Sequence, residues 1–291
     1  MKASFVIVNY NRKDEVLLTI SKTKELINSR VNDFEIVVVD NGSADNSVDA
    51  IKKTFPDITL IANPTNTGAP AWNLGFEEAK GDYFIIIDDD SHVESGLENA
   101  LAYLDKNPKV GVLALNVTTG PYTSAVYNWK DGQQVVGFIG CGAILRRTTY
   151  EKIGGYADWI FLYGNEWEYG LRSLGAGYEM RYFEGCRVTH RASAINRTTK
   201  RLKVYCTRNE MASVYKYFGD NRDKYLFRML VNGLKCIKNE GLKPAYYTIL
   251  GALEFWKMRK SIKHTPIPAD AQNIFANAFY GTKPIFSFLK K

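Results

Sequence analysis

The fold is decided by residues 83–90, which read Tyr-Phe-Ile-Ile-Ile-Asp-Asp-Asp. A bulky run with three consecutive isoleucines is typical of a strand that is buried on both faces of a sheet. The three carboxylates that follow repel one another, so cations or hydrogen-bond donors must neutralise them. Hard divalent cations such as Mg²⁺ and Mn²⁺ prefer oxygen ligands of this kind. An acidic turn on the surface is the alternative interpretation.

Two similar runs precede this stretch and frame a helix. Residues 3–8 and 34–39 are apolar and β-branched, and the apolar residues between them recur at helical intervals. Helices are also predicted near residues 47–55 and 70–79, with a short strand near residues 58–62 between them. Strands that alternate with helices predict a parallel sheet with helices on both faces.

Past Asp90 the pattern is less regular. It predicts strands at 110–117 and 137–145, the second carrying three glycines, and helices at 97–105, 148–154 and 166–174. From Arg201 onward the apolar positions suit amphipathic helices.

Polar clusters follow three of the predicted strands. They are Asn9–Asn11, Asp40–Ser43 and Asp88–Ser91. In open sheets of this kind, ligands bind outside the carboxyl ends of the strands, where loops converge. We therefore expect the three clusters to face one crevice, although each alone would also make a good turn.

These motifs resemble the inverting family 2 glycosyltransferases, which have the nucleotide-sugar-binding GT-A fold. The resemblance covers roughly residues 3–215. It rests on residues 5–12, 37–43, 66–68, 73–75, 88–90, 140–143, 146–147, 154–156 and 165–172, in that order. It implies an α/β fold, with a Rossmann-like, mostly parallel sheet flanked by helices and a C-terminal helical extension. The implied domains are a donor-binding and catalytic GT-A domain at 1–200 and a basic, aromatic-rich extension at 201–291.

The resemblance also implies roles for single residues. Asp40 would hydrogen-bond the base of the donor and Asp88 would lie by the ribose. Asp90 would ligate the metal that joins the two phosphates, together with Asp88. His190 would complete the metal site, or would lie at a strand end without a ligand role. The other implied donor-binding positions are Asn9, Asn11, Gly68, Asn73 and Asp89.

Inversion requires a base that removes the proton of the acceptor hydroxyl. Relatives place a Glu-Asp pair at the start of a helix, with the aspartate as base, whereas this chain has Asn165-Glu166. Glu166 is therefore the candidate base and Glu168 the second candidate. Both acids would otherwise only favour the helix dipole. Trp159 and Trp167 are candidates for stacking on acceptor sugars, or for the core.

The implied reaction is transfer of a hexosyl or deoxyhexosyl group, dependent on Mg²⁺ or Mn²⁺, in surface glycan synthesis. The donor would be a UDP- or dTDP-linked sugar and the acceptor a saccharide or a lipid-linked glycan. Arg208-Asn209 resembles a segment of rhamnosyltransferase-like members, which hints at dTDP-rhamnose, while UDP-hexoses stay equally compatible. The alternative is that this arginine only packs a helix against the core. The alternative is a catalytically inactive GT-A module that binds nucleotide sugars or glycans. Dehydrogenase and P-loop classes are excluded, because the Gly-x-Gly-x-x-Gly and Gly-Lys-Ser/Thr motifs are missing.

Charge divides the chain unevenly. Residues 195–291 contain 19 Lys+Arg and 6 Asp+Glu, a net charge of +13, so the whole-chain +7 leaves −6 for residues 1–194. A basic tail could bind an anionic membrane, an anionic acceptor or nucleic acid, or it could be a solvated face. We expect no nucleic acid partner, while an oligomer is compatible with the sequence. Four cysteines without metal-site or disulfide spacing favour a reducing cytosol. Short apolar runs predict a soluble or peripheral protein, and the basic, aromatic-rich tail predicts peripheral contact at the inner membrane face.

Overall fold

The computed structural model describes residues 2–119, 128–191, 198–235 and 237–280. The strands are β1 (Ala3–Asn9), β2 (Phe34–Asn41), β3 (Thr59–Asn63), β4 (Tyr83–Asp88), β5 (Ser91–Ser95), β6 (Val110–Thr119), β7 (Ala143–Arg146) and β8 (Glu179–His190). The α-helices are α1 (Lys13–Ile27), α2 (Ser47–Thr54), α3 (Ala71–Glu78), α4 (Leu97–Lys106), α5 (Arg147–Ile153), α6 (Asn165–Gly175), α7 (Thr199–Tyr217), α8 (Arg222–Leu234), α9 (Ile237–Glu240), α10 (Leu242–Met258) and α11 (Ala269–Tyr280). Short 3-10 helices cover Asn28–Arg30 and Arg259–Ser261.

The eight strands form one sheet in the order β3-β2-β1-β4-β7-β6-β8-β5. Its first half is parallel, as the β-α-β pattern predicts, and β1 lies between β2 and β4. The register sets Asn9 beside Asp40 and Val8 beside Asp88. Three polar strand ends therefore meet at one edge, as expected from the sequence.

The second half of the sheet is mixed. β7 is antiparallel to both β4 and β6, β6 and β8 are parallel, and β5 is antiparallel to β8. The predicted strand at 137–145 is wrong in its first part, because only Ala143–Arg146 is a strand. The glycine-rich residues before it form a turn in which Gly142 N donates to Ile139 O at 2.9 Å. The sequence patterns also did not predict β5 and β8.

Two hydrophobic layers cover the sheet. The isoleucine strand contributes to both, because its side chains alternate between the faces. Ile85 and Ile87 pack with Ile20 and Leu101, from α1 and α4. Phe84 and Ile86 pack on the other face with aromatic residues such as Phe76, Tyr156 and Tyr169. These four side chains of β4 are all fully buried. Their packing on both faces of the sheet fixes the position of the acidic triplet that follows.

The helices after residue 198 pack on α6 through a third apolar cluster. Leu171 of α6 shares it with Val214 of α7, Phe255 of α10 and Phe275 of α11. Asn209 of α7 also donates to the Leu162 and Tyr163 carbonyls at 2.9 and 2.7 Å. Among the described residues, no helix is both long and apolar enough to span a bilayer.

Candidate active site

A cleft of about 650 Å³ opens where β1, β2 and β4 end. Loops before α3 and α6 and the first turn of α7 form its other walls. Five of the residues selected from the sequence line it, namely Gly68, Asp88, Asp89, Glu166 and His190.

Strand pairing brings His190 to the acidic triplet. β4 ends at Asp88 and β5 begins at Ser91, so Asp89 and Asp90 connect the two strands. Ser91 then pairs with His190 in the antiparallel β5–β8 ladder. As a result, His190 Nε2 lies 3.1 Å from Asp90 Oδ1, although the two residues are far apart in the chain.

Arg12 neutralises part of the triplet. Its Nη1 lies 2.9 Å from Asp89 Oδ1 and 2.8 Å from Asp90 Oδ2. Burial lowers the pKa of Arg12, but the Asp89 and Asp90 carboxylates outweigh this and raise it. Burial also raises the pKa of Asp89, an effect that Arg12 opposes. Asp90 is fully buried and Asp89 nearly so, which leaves Asp88 as the most accessible carboxylate of the triplet.

Three different ligand types converge at the cleft. One ligand atom each from Asp88, Cys141 and His190 lies within 4.8 Å of the others. A carboxylate oxygen, an imidazole nitrogen and a sulfur are all donors to divalent transition ions. The residues therefore fit a divalent ion, with Asp88 and His190 supplying the harder donors and Asp90 in contact with His190.

Glu166 opens onto the same cleft from the start of α6. The pKa of its carboxyl group is raised to about 7, mainly by burial and to a smaller extent by the charge of Asp88, while hydrogen bonds from its own backbone N–H and from Asn165 oppose the rise. A carboxylate with a pKa near neutrality is suited to accept a proton at physiological pH.

Glu168 has different surroundings. It is fully buried and accepts two hydrogen bonds of 2.8 Å from Arg172. The Tyr217 hydroxyl donates to the same carboxylate. Glu168 is not among the described residues that line the cleft. The contact with Tyr217 joins α6 to α7, so the Glu168 carboxylate supports the packing of these helices.

Polar side chains at the ends of β1 and β2 hydrogen-bond to one another and to the loop after β2. Asn9 Nδ2 donates to Asp40 Oδ2 at 2.7 Å, and Ser43 N donates to Asp40 Oδ1 at 3.0 Å. Ala44 N donates to Asn11 Oδ1 at 2.7 Å. Asn9, Asn11 and Asp40 are absent from the described residues that line the cleft. They hold the shape of its wall.

Gly68 precedes α3, and Asn73 lies in the first turn of this helix. A side chain at Gly68 would meet Phe161 O at 1.9 Å, and its φ of +72° favours glycine. Asn73 Nδ2 donates to Tyr156 O at 2.8 Å, while Tyr156 N donates to Asn73 Oδ1 at 2.7 Å. Gly68 lines the cleft, whereas Asn73 joins α3 to the loop before α6.

The two tryptophans selected as acceptor contacts lie elsewhere. Trp159 and Trp167 pack against the cluster that joins α6 to the C-terminal helices. The Trp167 ring makes an edge contact with Phe279, with ring centroids 5.0 Å apart. Neither tryptophan is among the described residues that line the cleft.

Three site residues were not selected from the sequence. Arg12 ends the first polar loop, and its charge next to Asn11 was a signal of anion contact. Cys141 lies between two glycines, and glycines in a strand pattern indicate close approach by a ligand or by another backbone. Arg201 lines the cleft from the first turn of α7, but the sequence placed it among ordinary tail cations.

Comparison with known proteins agrees with this geometry. The model of glycosyl transferase family 2 matches residues 4–164, more than half of the chain. The chain therefore belongs to glycosyl transferase family 2.

Curated relatives match shorter parts of the chain. An uncharacterized glycosyltransferase of Haemophilus influenzae is 31% identical over 112 residues, 38% of this chain and 37% of that protein. A poly(ribitol-phosphate) beta-glucosyltransferase of Bacillus spizizenii is 33% identical over 33% of this chain and 16% of that protein. The uncharacterized glycosyltransferase YwdF of Bacillus subtilis is 28% identical over 60% of this chain and 68% of that protein. The chain thus spans well under two thirds of the first two.

Solved structures share the fold at low identity. TarS of S. aureus (residues 1–349) matches 96% of this chain and 81% of its own, with a TM-score of 0.58 at 15% identity. GalNAc-T7 with UDP, GalNAc and Mn²⁺ matches 98% and 59%, with a TM-score of 0.66 at 14% identity. The mannosyltransferase PcManGT of Pyrobaculum calidifontis, with GDP-Man and Mn²⁺, matches 99% and 83%, with a TM-score of 0.58 at 15% identity. The predicted GT-A fold is confirmed.

Proposed function

We propose that this chain is an inverting glycosyltransferase that transfers a sugar from a UDP- or dTDP-linked donor. The supporting observation is that Asp88, His190 and Glu166 line one cleft at the carboxyl ends of the parallel strands. Solved neighbours with the same fold contain UDP, UDP-GlcNAc or GDP-Man. A GT-A cleft with donor-side carboxylates and a separate carboxylate base suits this reaction.

Asp88, Asp90 and His190, with Cys141 beside them, would hold a divalent ion, Mg²⁺ or Mn²⁺. Such an ion neutralises the charge of the departing diphosphate. Two neighbours were crystallised with Mn²⁺. Arg12 supports the same site, because its pairs with Asp89 and Asp90 orient these buried carboxylates and oppose the effect of burial on the pKa of Asp89.

Glu166 would take the proton of the acceptor hydroxyl as its oxygen attacks the anomeric carbon. The raised pKa of Glu166 supports this role, since the base must be ionised before the reaction and hold the proton after it. Glu168, the second candidate, is already engaged by Arg172 and Tyr217. We therefore assign the base to Glu166.

The remaining donor contacts are proposals from the family resemblance. Six further residues would shape the nucleotide pocket, several of them through hydrogen bonds within its walls. They are Asn9, Asn11, Asp40, Gly68, Asn73 and Asp89. The acceptor would be a saccharide or a lipid-linked glycan in surface glycan synthesis. The poly(ribitol-phosphate) glycosyltransferases among the relatives fit this class. The protein would be cytoplasmic and would contact the inner membrane face through its basic extension. At this face it would meet such an acceptor.

The test is a screen of labelled nucleotide sugars with Mg²⁺ or Mn²⁺, in which sugar release and transfer are both measured. We expect release from one UDP- or dTDP-linked sugar in the wild type. Release should be lost in Glu166→Gln, which should bind the same donor with unchanged affinity. Donor binding without turnover in the wild type, across all acceptors tried, would favour an inactive binding module instead.

A further inference from the structure

One side of α10 carries a continuous row of exposed apolar side chains. Their exposed fractions are 76, 56, 44, 53 and 59% for Leu242, Tyr246, Ile249, Leu253 and Trp256. The alternating spacing of four and three residues places them on one side of the helix. We call this row the α10 stripe. Single exposed apolar residues are normal, whereas a contiguous row indicates a binding surface.

The opposite side of α10 fixes its orientation. Ala245, Thr248, Gly251 and Phe255 are buried. A Cβ at Gly251 would lie 2.6 Å from the Val204 carbonyl of α7, so the two helices are in close contact. Because this side is already packed, α10 cannot rotate to bury the stripe without losing its contact with α7.

Positive charge borders the stripe. Lys243, Lys257 and Lys260 are exposed near its two ends. Glu254, the acidic residue of α10, is paired with Arg208 at 3.4 Å. The surrounding part of the chain, residues 195–291, has a net charge of +13. A partner that complements this surface must therefore be both apolar and anionic.

We propose that the α10 stripe lies in the headgroup region of an anionic lipid bilayer. A helix of 17 residues is about 25 Å long, and lysines near both ends favour a position parallel to the membrane surface. Tyr246 and Trp256 belong to the side chains that favour this interface. Arg259 lies over the Trp256 ring, 3.4 Å from its centroid, and places a further cation at headgroup level.

A second copy of the chain is the competing partner. In an antiparallel pair, the flank with Lys243 and Lys257 would face the same flank of the other copy. Like charges at such an interface repel, whereas anionic lipids attract basic residues. The charge pattern therefore favours the bilayer.

The position of α10 relates this surface to the cleft, a relation that rests on the proposed function. α10 packs on α7, and Arg201 and Leu202 in the first turn of α7 line the cleft. A bilayer held by the α10 stripe would be one helix away from the donor site. This arrangement suits an acceptor that is carried by a membrane lipid.

Co-sedimentation of the full chain with vesicles tests the proposal. One set of vesicles is phosphatidylcholine alone and the other contains 30% phosphatidylglycerol. We expect binding to the anionic vesicles, with at least tenfold weaker binding to the neutral ones and weakening as salt rises. Leu253→Ser with Trp256→Ser should weaken anionic binding at least tenfold. The matched control, Leu18→Ser with Val31→Ser, removes two exposed apolar residues elsewhere and should bind like the wild type.

A second readout locates the contact. Lipids brominated near the headgroup should quench tryptophan fluorescence in the wild type. Trp256→Phe should lose most of this quenching while it still sediments, because phenylalanine keeps the apolar contact. Circular dichroism that is unchanged in every variant shows that loss of binding is not loss of fold.

Three results would overturn the proposal. They are no preference for anionic vesicles, equal sedimentation of the Leu253/Trp256 double variant and the wild type, and a concentration-dependent dimer that this double variant abolishes. Donor binding, measured by calorimetry without vesicles, separates this proposal from the proposed function. Vesicle binding without donor binding would reject the function alone, and the reverse would reject the α10 stripe alone.

Discussion

Gly140 lies directly against the carboxylate of Glu166, and a Cβ added at Gly140 would stand 2.6 Å from Glu166 Oε1. The atom it would meet is the far end of a side chain, so the carboxylate can move away and the fold can persist. The absence of a side chain at Gly140 therefore sets where the candidate base sits in the cleft.

Gly140→Ala should reduce the turnover number by about tenfold to a hundredfold, because a misplaced base loses its alignment with the acceptor. Donor affinity and melting temperature should change little. Steady-state kinetics and calorimetry measure these quantities. Gly219→Ala is the control, since its Cβ would meet only Gln272 at an ordinary 3.8 Å. A Gly140→Ala enzyme with wild-type turnover would contradict the placement of the base.

Glu166→Gln should stabilise the protein above neutral pH while it abolishes turnover. The folded-state pKa of about 7 lies above the ordinary value of 4.5, so wild-type stability falls as pH rises between these values. Glutamine has no charge to bury, and the variant should gain about 1–3 kcal/mol at pH 8. The gain should vanish below about pH 4.5. Urea unfolding at both pH values measures the difference in the free energy of unfolding. Equal stability of the variant and the wild type at pH 8 would argue against a raised pKa of Glu166.

Glu168→Gln should have the opposite effect on stability. Removing the charge leaves the Arg172 guanidinium buried without its carboxylate partner, at a cost of about 3 kcal/mol or more. The same unfolding experiment at pH 7 checks this expectation. A Glu168→Gln protein of unchanged stability but without turnover would return the role of base to Glu168.

The pH dependence of kcat/KM should follow the ionisation of the Glu166 carboxyl group in the enzyme without substrate. Activity should rise with pH and level off above an apparent pKa near 7, because only the ionised form accepts the proton. Initial rates at low donor concentration, measured from pH 5 to pH 9, give this profile. A flat profile across this range would show that another group is the base.

The absorption spectrum of bound Co²⁺ should show whether the Cys141 sulfur is a metal ligand. If this sulfur lies beside the ion held by Asp88 and His190, Co²⁺ should give near-ultraviolet absorption from a thiolate ligand. Cys141→Ser should lose this absorption and keep Mn²⁺ binding, since manganese relies on the oxygen and nitrogen donors. Cys186→Ser is the matched control, because Cys186 is also buried. Unchanged absorption in Cys141→Ser would exclude the sulfur as a ligand.

The regular half of the fold could be predicted from the sequence, because each buried parallel strand is a continuous apolar run. The isoleucine strand ends at Asp88, within one residue of the prediction. β5 has only Val93 as a buried apolar residue, so its short polar sequence carries no strand signal. β8 does alternate, with Met180, Tyr182 and Val188 buried, but an irregularity in its pairing interrupts the pattern.

The candidate site was predictable in its residue types and less so in its partners. Asp88, Glu166 and His190 were all selected and share the cleft. The pairing of Arg12 with Asp89 and Asp90 depends on how the loop after β1 turns at Asn11, which has a φ of 53°. Likewise, the difference between Glu166 and Glu168 depends on which side of α6 faces the cleft and which faces Tyr217 of α7. The sequence places both acids in one helical turn and does not determine which of them faces the cleft.

Calorimetric titration of UDP and dTDP, with Mn²⁺ and then with EDTA, tests most directly whether the acidic triplet holds an ion and a diphosphate. We predict that one nucleotide binds in Mn²⁺, that EDTA weakens this binding at least tenfold, and that Asp90→Asn does the same. Asp105→Asn, a half-exposed carboxylate paired with Lys2, should bind like the wild type. Binding of equal strength in EDTA, or in Asp90→Asn with Mn²⁺, would contradict the central claim.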